Sequence, residues 1–207
     1  MPSFQGVVLH QMQMSGNCYK VRLAAHQLGI ALAIKEYPLH GGETRKPDFL
    51  VRNPNGRVPL LEFPDGRYLA ESNAIIFHLS DGTRLQPADS WARAQMLQWL
   101  FFEQYSHEPY VAVARFWLKF AAPEALEAKK HLIPEWHARG NAALKVMETH
   151  LASRDWFTGD AYSIADIALY GYTHSAGDGG FDLTAYPKLS AWLARVAAQP
   201  GHVPLGI

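Results

Sequence analysis

The sequence predicts an α/β domain followed by an all-helical one. Three observations carry that prediction. Up to about residue 80, short apolar runs alternate with a helix-period pattern; beyond about residue 88, strand-like runs stop and long helical patterns take over. Between them, residues 81–90 contain Gly82, Pro87 and Asp89 and have the composition of a linker. A chain of 207 residues suits one large domain or two small ones, and the boundaries drawn on composition are 1–83 and 90–207. No internal repeat and no low-complexity tract interrupts either half.

Residues 4–10 read as the first strand, centred on Val7, Val8 and Leu9, and lead into a polar turn that ends at Asn17. Val21, Ala24, Ala25 and Leu28 then recur at helical spacing, and Gly29 stands where a C-cap glycine belongs. Ile30, Leu32 and Ile34 alternate as a second strand does. After a loop at Gly41-Gly42 and a turn closed by Asn53-Pro54-Asn55-Gly56, the runs 58–63 and 67–70 flank Pro64-Asp65-Gly66, a hairpin signal. Ser72 is expected to cap the helix that carries Ile75, Ile76 and Leu79. In the second half, residues 91–120 read as one long helix kinked at Pro109, and 124–151 as another with Pro134 inside it. Two further helices are expected at 163–175 and 187–198.

Composition excludes several function classes. Hydrophobic residues make up 48% and charged residues 18%, so the chain can build a core. Lys+Arg and Asp+Glu both number 19 and the pI is near 7.2, which gives no footprint for nucleic acid and no polybasic membrane anchor. No apolar run approaches the ~18 residues of a membrane helix. No cationic region precedes Lys20, so no secretory signal is expected. Cys18 is the single cysteine, which excludes an intramolecular disulfide and a multi-cysteine zinc site and suits a reducing cytoplasm. The ten histidines show no H-E-x-x-H spacing, and Gly177-Asp-Gly-Gly180 does not follow a strand in a βαβ unit. The expectation is a complete, soluble, cytoplasmic protein with no metal and no nucleotide.

Three short segments carry chemistry. Ser15-Gly16-Asn17 falls between a strand end and a helix start, beside free N–H groups and a partial positive charge. A hydroxyl there can donate to an anion such as a thiolate, or merely cap the helix. Val58-Pro59 starts a strand where proline cannot join the ladder. A cis bond there would turn the Val58 N–H and C=O outward toward an extended peptide; an ordinary edge proline is the alternative. Glu71-Ser72 opens a helix whose N–H groups, with the Ser72 hydroxyl, suit a carboxylate, while Glu71 suits an ammonium group; simple capping is again the alternative.

Together, Ser15-Gly-Asn-Cys-Tyr-Lys-Val21, Asn53-Pro-Asn-Gly-Arg-Val-Pro59, Glu71-Ser-Asn-Ala-Ile75 and Ser163-Ile-Ala-Asp166 resemble the glutathione transferase family over nearly the whole chain. The second motif is the most diagnostic. The resemblance implies a thioredoxin-like glutathione-binding domain, a helical substrate-side domain and a homodimer. It implies glutathione as co-substrate, with its cysteinyl backbone paired to Val58 beside cis-Pro59, its γ-glutamyl end at Glu71 and Ser72, and its thiol facing Ser15. Arg57 stands where relatives carry a basic residue near the glycyl carboxylate; a surface salt bridge is its plainer use. Ser15 is similar to the serine-using, theta- or nu-like branch, whereas Asn17 is similar to relatives that reduce glutathione-linked disulfides.

Some relatives use a cysteine near this point, which makes Cys18 the rival of Ser15. Ser15 is preferred, because it precedes the helix while Cys18 has entered it. Ser163-x-x-Asp166 is a capping-box variant that in the family starts a buried helix, so Asp166 is assigned a structural role. Tyr105, His107 and Tyr110 surround the Pro109 break, where relatives wall the pocket for a small electrophile. The implied function is a detoxifying transferase whose glutathione thiolate attacks an electrophilic carbon or a glutathione-linked disulfide. The alternative is a non-catalytic glutathione-fold binding module. Energetically, one hydroxyl suffices. Lowering a thiol from about 8.5 by roughly two pKa units takes about 2.7 kcal/mol. A hydrogen bond to a charged group supplies about 1.5–3 kcal/mol and a helix N-terminus ~0.3–1.

Overall fold

Ser15 and Gly29 set the limits of the first helix. In the computed structural model, which describes residues 4–206, α1 (Gly16–Leu28) begins after Ser15, whose hydroxyl accepts the Cys18 N–H. It stops at Gly29, where a φ of 67° lets the N–H reach back to the Ala25 and His26 carbonyls. The outermost positions of the expected boundaries, 1–3 and 207, lie outside the described residues. Strand β1 (Val8–Gln11) precedes α1, and β2 (Ala33–Glu36) follows it to pair with β1 in parallel. The hairpin β3 (Leu60–Glu62) and β4 (Tyr68–Ala70) adds antiparallel to β1, giving the order β2-β1-β3-β4. Helix α3 (Ser72–Leu79) packs on α1. This is a thioredoxin-like α/β unit.

Register decides what this sheet brings together. His10 pairs with Leu60 and Leu60 with Ala70, so the end of β1, the start of β3 and the end of β4 share one end of the sheet. The segments that continue from those positions are the loop into Ser15, the dipeptide Val58-Pro59 and the dipeptide Glu71-Ser72. Between β2 and β3, where only loop and turn were expected, a 3-10 turn at Glu43–Arg45 leads into the short α2 (Pro47–Leu50). Its Phe49 is buried against Tyr37 and Leu60. Two adjacent apolar residues, Phe49 and Leu50, with Pro47 at the first turn are too short a pattern to show a period.

The chain divides into Met1–Gln86 with Gln199–Ile207, and Pro87–Ala198. The final residues therefore belong with the first unit, whereas composition had grouped them with the helices.

In the second unit, α4 (Ser90–Phe102) is capped by Asp89, which accepts the Ala92 N–H at 2.8 Å. The expected helical stretch over 91–120 is present as one uninterrupted run in which a π-helical turn at Glu103–His107 joins α4 to α5 (Glu108–Lys119). Pro109 lies just after the π-helical turn, in a helical run unbroken from 90 to 119. A correction applies over 124–151. Helix α6 (Pro123–Glu127) and a 3-10 turn precede α7 (Ile133–Leu151), and Pro134 opens α7 rather than interrupting it.

Helix α8 (Ile164–Thr173) is buried along its whole length, and α9 (Pro187–Ala197) packs against it. The Ser163/Asp166 capping box is formed. Asp166 Oδ2 accepts the Ser163 N–H at 2.9 Å, while Oδ1 accepts the Phe157 N–H at 3.2 Å and Trp192 Nε1–H at 2.9 Å. One carboxylate thus joins the start of α8, the preceding loop and α9. Gly179 serves packing, since a Cβ there would lie 2.8 Å from the Arg115 backbone nitrogen.

Candidate functional site

The Val58–Pro59 bond is cis. Among the described residues, no group bonds the Val58 N–H or C=O, so both stay open to an added strand. The turn before it is built by Asn53. Its side chain accepts the Asn55 N–H at 3.1 Å and donates to the Arg57 carbonyl at 2.8 Å. Arg57 is exposed and makes no ion pair among the described residues, so the plainer salt-bridge reading is not realised.

Ser15 is half-buried at the start of α1. Its oxygen accepts the Cys18 N–H at 3.3 Å, and its single proton can turn either to the Cys18 sulfur or to an anion. Capping and donation to an anion are compatible in one hydroxyl. Cys18 is fully buried, and burial pushes its thiol up to about 11, even though the Met12 N–H and the Ser15 hydroxyl draw it the other way. It is therefore a neutral thiol at physiological pH, unlike the electropositive, accessible cysteines that react.

Asn17 does not stand free beside Ser15. Its Oδ1 accepts Lys20 Nζ at 2.8 Å and the Ser72 hydroxyl at 3.0 Å, tying the first turn of α1 to the start of α3. That bond accompanies a correction of the capping expectation: Ser72 is the first residue of α3 and not its cap, and its hydroxyl donates to Asn17. The cap position belongs to Glu71, which is exposed and makes no side-chain cap bond. Its φ of 68° is a left-handed conformation in a non-glycine residue, the kind of strain that clusters at binding sites.

Two residues of this region escaped the sequence reading. Lys20 is fully buried beneath Asn17, and Arg22, also buried, bonds Gln11 and the Gln13 carbonyl. The available signal was two cations inside an otherwise apolar helix face.

In the second unit, Tyr105 and Tyr110 line a cavity of about 510 Å³ with Phe102, Pro109, Arg139 and Val146. Tyr105 is 84% exposed, and Arg139 donates to the Tyr110 hydroxyl at 3.2 Å with its guanidinium over the ring. His107 does not join them. It is fully buried, with Nε2 2.9 Å from Thr173 Oγ1. Thr173 gives its own proton to the Leu169 carbonyl, so His107 is the donor. The π-helical turn redirects that side chain into the core. Among the described residues, no three His, Cys, Asp or Glu side chains are grouped to hold a metal, and no helix is long and apolar enough to cross a membrane.

Comparison with known proteins agrees with this geometry. The glutathione S-transferase N-terminal domain family model matches residues 14–81, and the glutathione S-transferase C-terminal domain family model matches residues 93–200. The chain belongs to the glutathione S-transferase family. A crystal structure of glutathione S-transferase from Pseudomonas fluorescens Pf-5 superposes with a TM-score of 0.92 at 47% identity, over 96% of this chain and 98% of that one. Ure2p in complex with glutathione gives a TM-score of 0.82 at 25% identity, over 97% of this chain and 92% of that one. Disulfide-bond oxidoreductase YfcG of Escherichia coli strain K12 is 26% identical over 191 residues, 89% of this chain and 87% of that protein.

Proposed function

We propose that this protein binds glutathione at the end of its sheet and presents the sulfur to the Ser15 hydroxyl as a thiolate. In this reading the cysteinyl backbone pairs with Val58, and the γ-glutamyl carboxylate lies on the N–H groups of α3 with Glu71 at the ammonium. Arg57 meets the glycyl carboxylate. Asn17 acts as a positioning residue that holds Ser72 and the start of α3 in place. The thiolate attacks an electrophilic carbon, forming an S–C bond as the leaving group departs with the bonding pair. Against a glutathione-linked disulfide, it forms oxidised glutathione and releases the other half as a thiolate. Tyr105 and Tyr110 are the residues proposed for the apolar part of the second substrate.

The observation that carries the reading is the contrast at the start of α1. The half-buried Ser15 hydroxyl has a proton to give, and the only thiol, Cys18, is buried and neutral. The relationship to YfcG supports the disulfide branch of the chemistry. A homodimer is proposed on family grounds, and a free buried cysteine supports a reducing compartment, the cytoplasm.

The test is turnover with glutathione against an aryl halide and a glutathione-linked disulfide, for Ser15→Ala and Cys18→Ser. Ser15→Ala should lose at least about tenfold at neutral pH, consistent with removing a charge-assisted bond, and Cys18→Ser should keep nearly all activity. The reverse pattern would reassign the site to Cys18. Retention on immobilised glutathione with no turnover on either substrate would identify a binding module instead.

A further inference from the structure

Arg22 connects the loop that delivers Ser15 to residues far along the chain. Its buried guanidinium donates Nη1 to Gln11 Oε1 at 2.6 Å. Nη2 donates both to the Gln13 carbonyl at 3.0 Å and to the Leu205 carbonyl at 2.6 Å. Gln13 is held on its other sides as well. Its N–H donates to the Glu36 carboxylate at 2.5 Å, and its side-chain oxygen accepts from Gln11 at 2.9 Å.

Three residues before Arg22, and so on the same helix face, Tyr19 is fully buried and donates its hydroxyl to the Val203 carbonyl at 2.6 Å. The same segment crosses α1 closely. Gly201 has a φ of 75°, and a Cβ there would fall 2.9 Å from Gln27 Cα, so only glycine fits the crossing. The segment 201–205 is thus fastened to α1 at three points, and the last shares a single nitrogen with the Ser15 loop.

We propose that residues 201–205 form a strap that, through Tyr19 and Arg22, sets the position of the loop leading to Ser15. Tyr19 and Arg22 are positioning residues for that hydroxyl. The loop between β1 and α1 has no ladder of its own, so Gln13 keeps its place by these side-chain bonds. Hydrogen bonds weaken steeply with misalignment, and a loop freed from Arg22 would spoil the aim of Ser15 without unfolding the sheet. The catalytic consequence rests on the serine reading above; the mechanical link stands on the hydrogen bonds alone.

The experiment uses the full chain with Gly201→Ala and, separately, Tyr19→Phe, neither of which alters the loop. Amide hydrogen exchange at Gln13 and Ser15 should quicken roughly five- to tenfold in both, the loss of about one hydrogen bond, while amides in α3 stay unchanged. kcat should fall with little change in the KM for glutathione. The pKa of the bound thiol should rise part of the way toward its value in Ser15→Ala. Unchanged exchange at Gln13 and Ser15 in both variants would overturn the strap, whatever Ser15→Ala does. Faster exchange together with a bound-thiol pKa that Ser15→Ala fails to move would keep the strap and remove the serine reading.

Discussion

At Ser15 and Cys18, three residues apart, burial separates two groups that sequence alone leaves as rivals. Cys18 at about 11 is ionised in only about one molecule in ten thousand at neutral pH. Iodoacetamide should therefore label it in the folded protein more than about a hundredfold more slowly than a free thiol, and at the ordinary rate once unfolded. Rapid labelling of the native protein would show the thiol to be accessible. Asn17 makes a separable prediction. Asn17→Leu strips the acceptor from both Lys20 and Ser72, so glutathione affinity should fall about tenfold by calorimetry. The pKa of the bound thiol should barely move. A large pKa shift in that variant would make Asn17 a direct partner of the sulfur.

At the scale of elements, prolines were the least legible feature. Pro109 and Pro134 sit inside long helical patterns, and period alone cannot distinguish a kink from a fresh helix start. Pro134 turned out to open a new helix, whereas Pro109 lies just after a π-helical turn inside a helical run unbroken from 90 to 119. The π-helical turn that displaces His107 has no sequence signal, because its side chains are ordinary helix residues. Caps were legible where the side chain bonds its own helix, as at Ser15 and Ser163, and misread at Ser72, whose hydroxyl reaches a residue 55 positions away.

Asp166 offers the sharpest test of an element. Burial raises its carboxyl to about 6, whereas the unfolded chain releases that proton near 4. The folded state binds the extra proton between those values, so this group's contribution to stability falls as pH rises from about 4 to about 6, then stays level. Asp166→Asn should abolish that slope. It should also cost about 3 kcal/mol at neutral pH, because an amide NH₂ would face the N–H donors of Ser163 or of Phe157 and Trp192. Thermal melts of the two proteins across this range, overlapping in slope, would contradict the assignment.

For the whole molecule, the division into an α/β and a helical unit follows from hydrophobic period, and the alternation of patterns made it readable. The return of residues 199–207 to the first unit was not readable, since it depends on backbone carbonyls accepting from Tyr19 and Arg22, and every residue has a carbonyl. A fragment ending at residue 86 lacks those acceptors and leaves a buried guanidinium short of a partner, so it should show no cooperative unfolding transition. A sharp two-state melt from it would contradict that dependence. Sedimentation at micromolar concentration should give about twice the 23.1 kDa chain mass, and a monomer throughout that range would rule out the dimer.

The most direct measurement of the central claim is the ultraviolet titration of the glutathione thiolate bound to the wild-type protein and to Ser15→Ala. Ionisation in the wild type should be centred roughly two units below the free thiol's value of about 8.5, and in Ser15→Ala it should move up by at least about one unit, with glutathione still bound. Superimposable titration curves for the two proteins would contradict the claim that the Ser15 hydroxyl holds the sulfur as an anion.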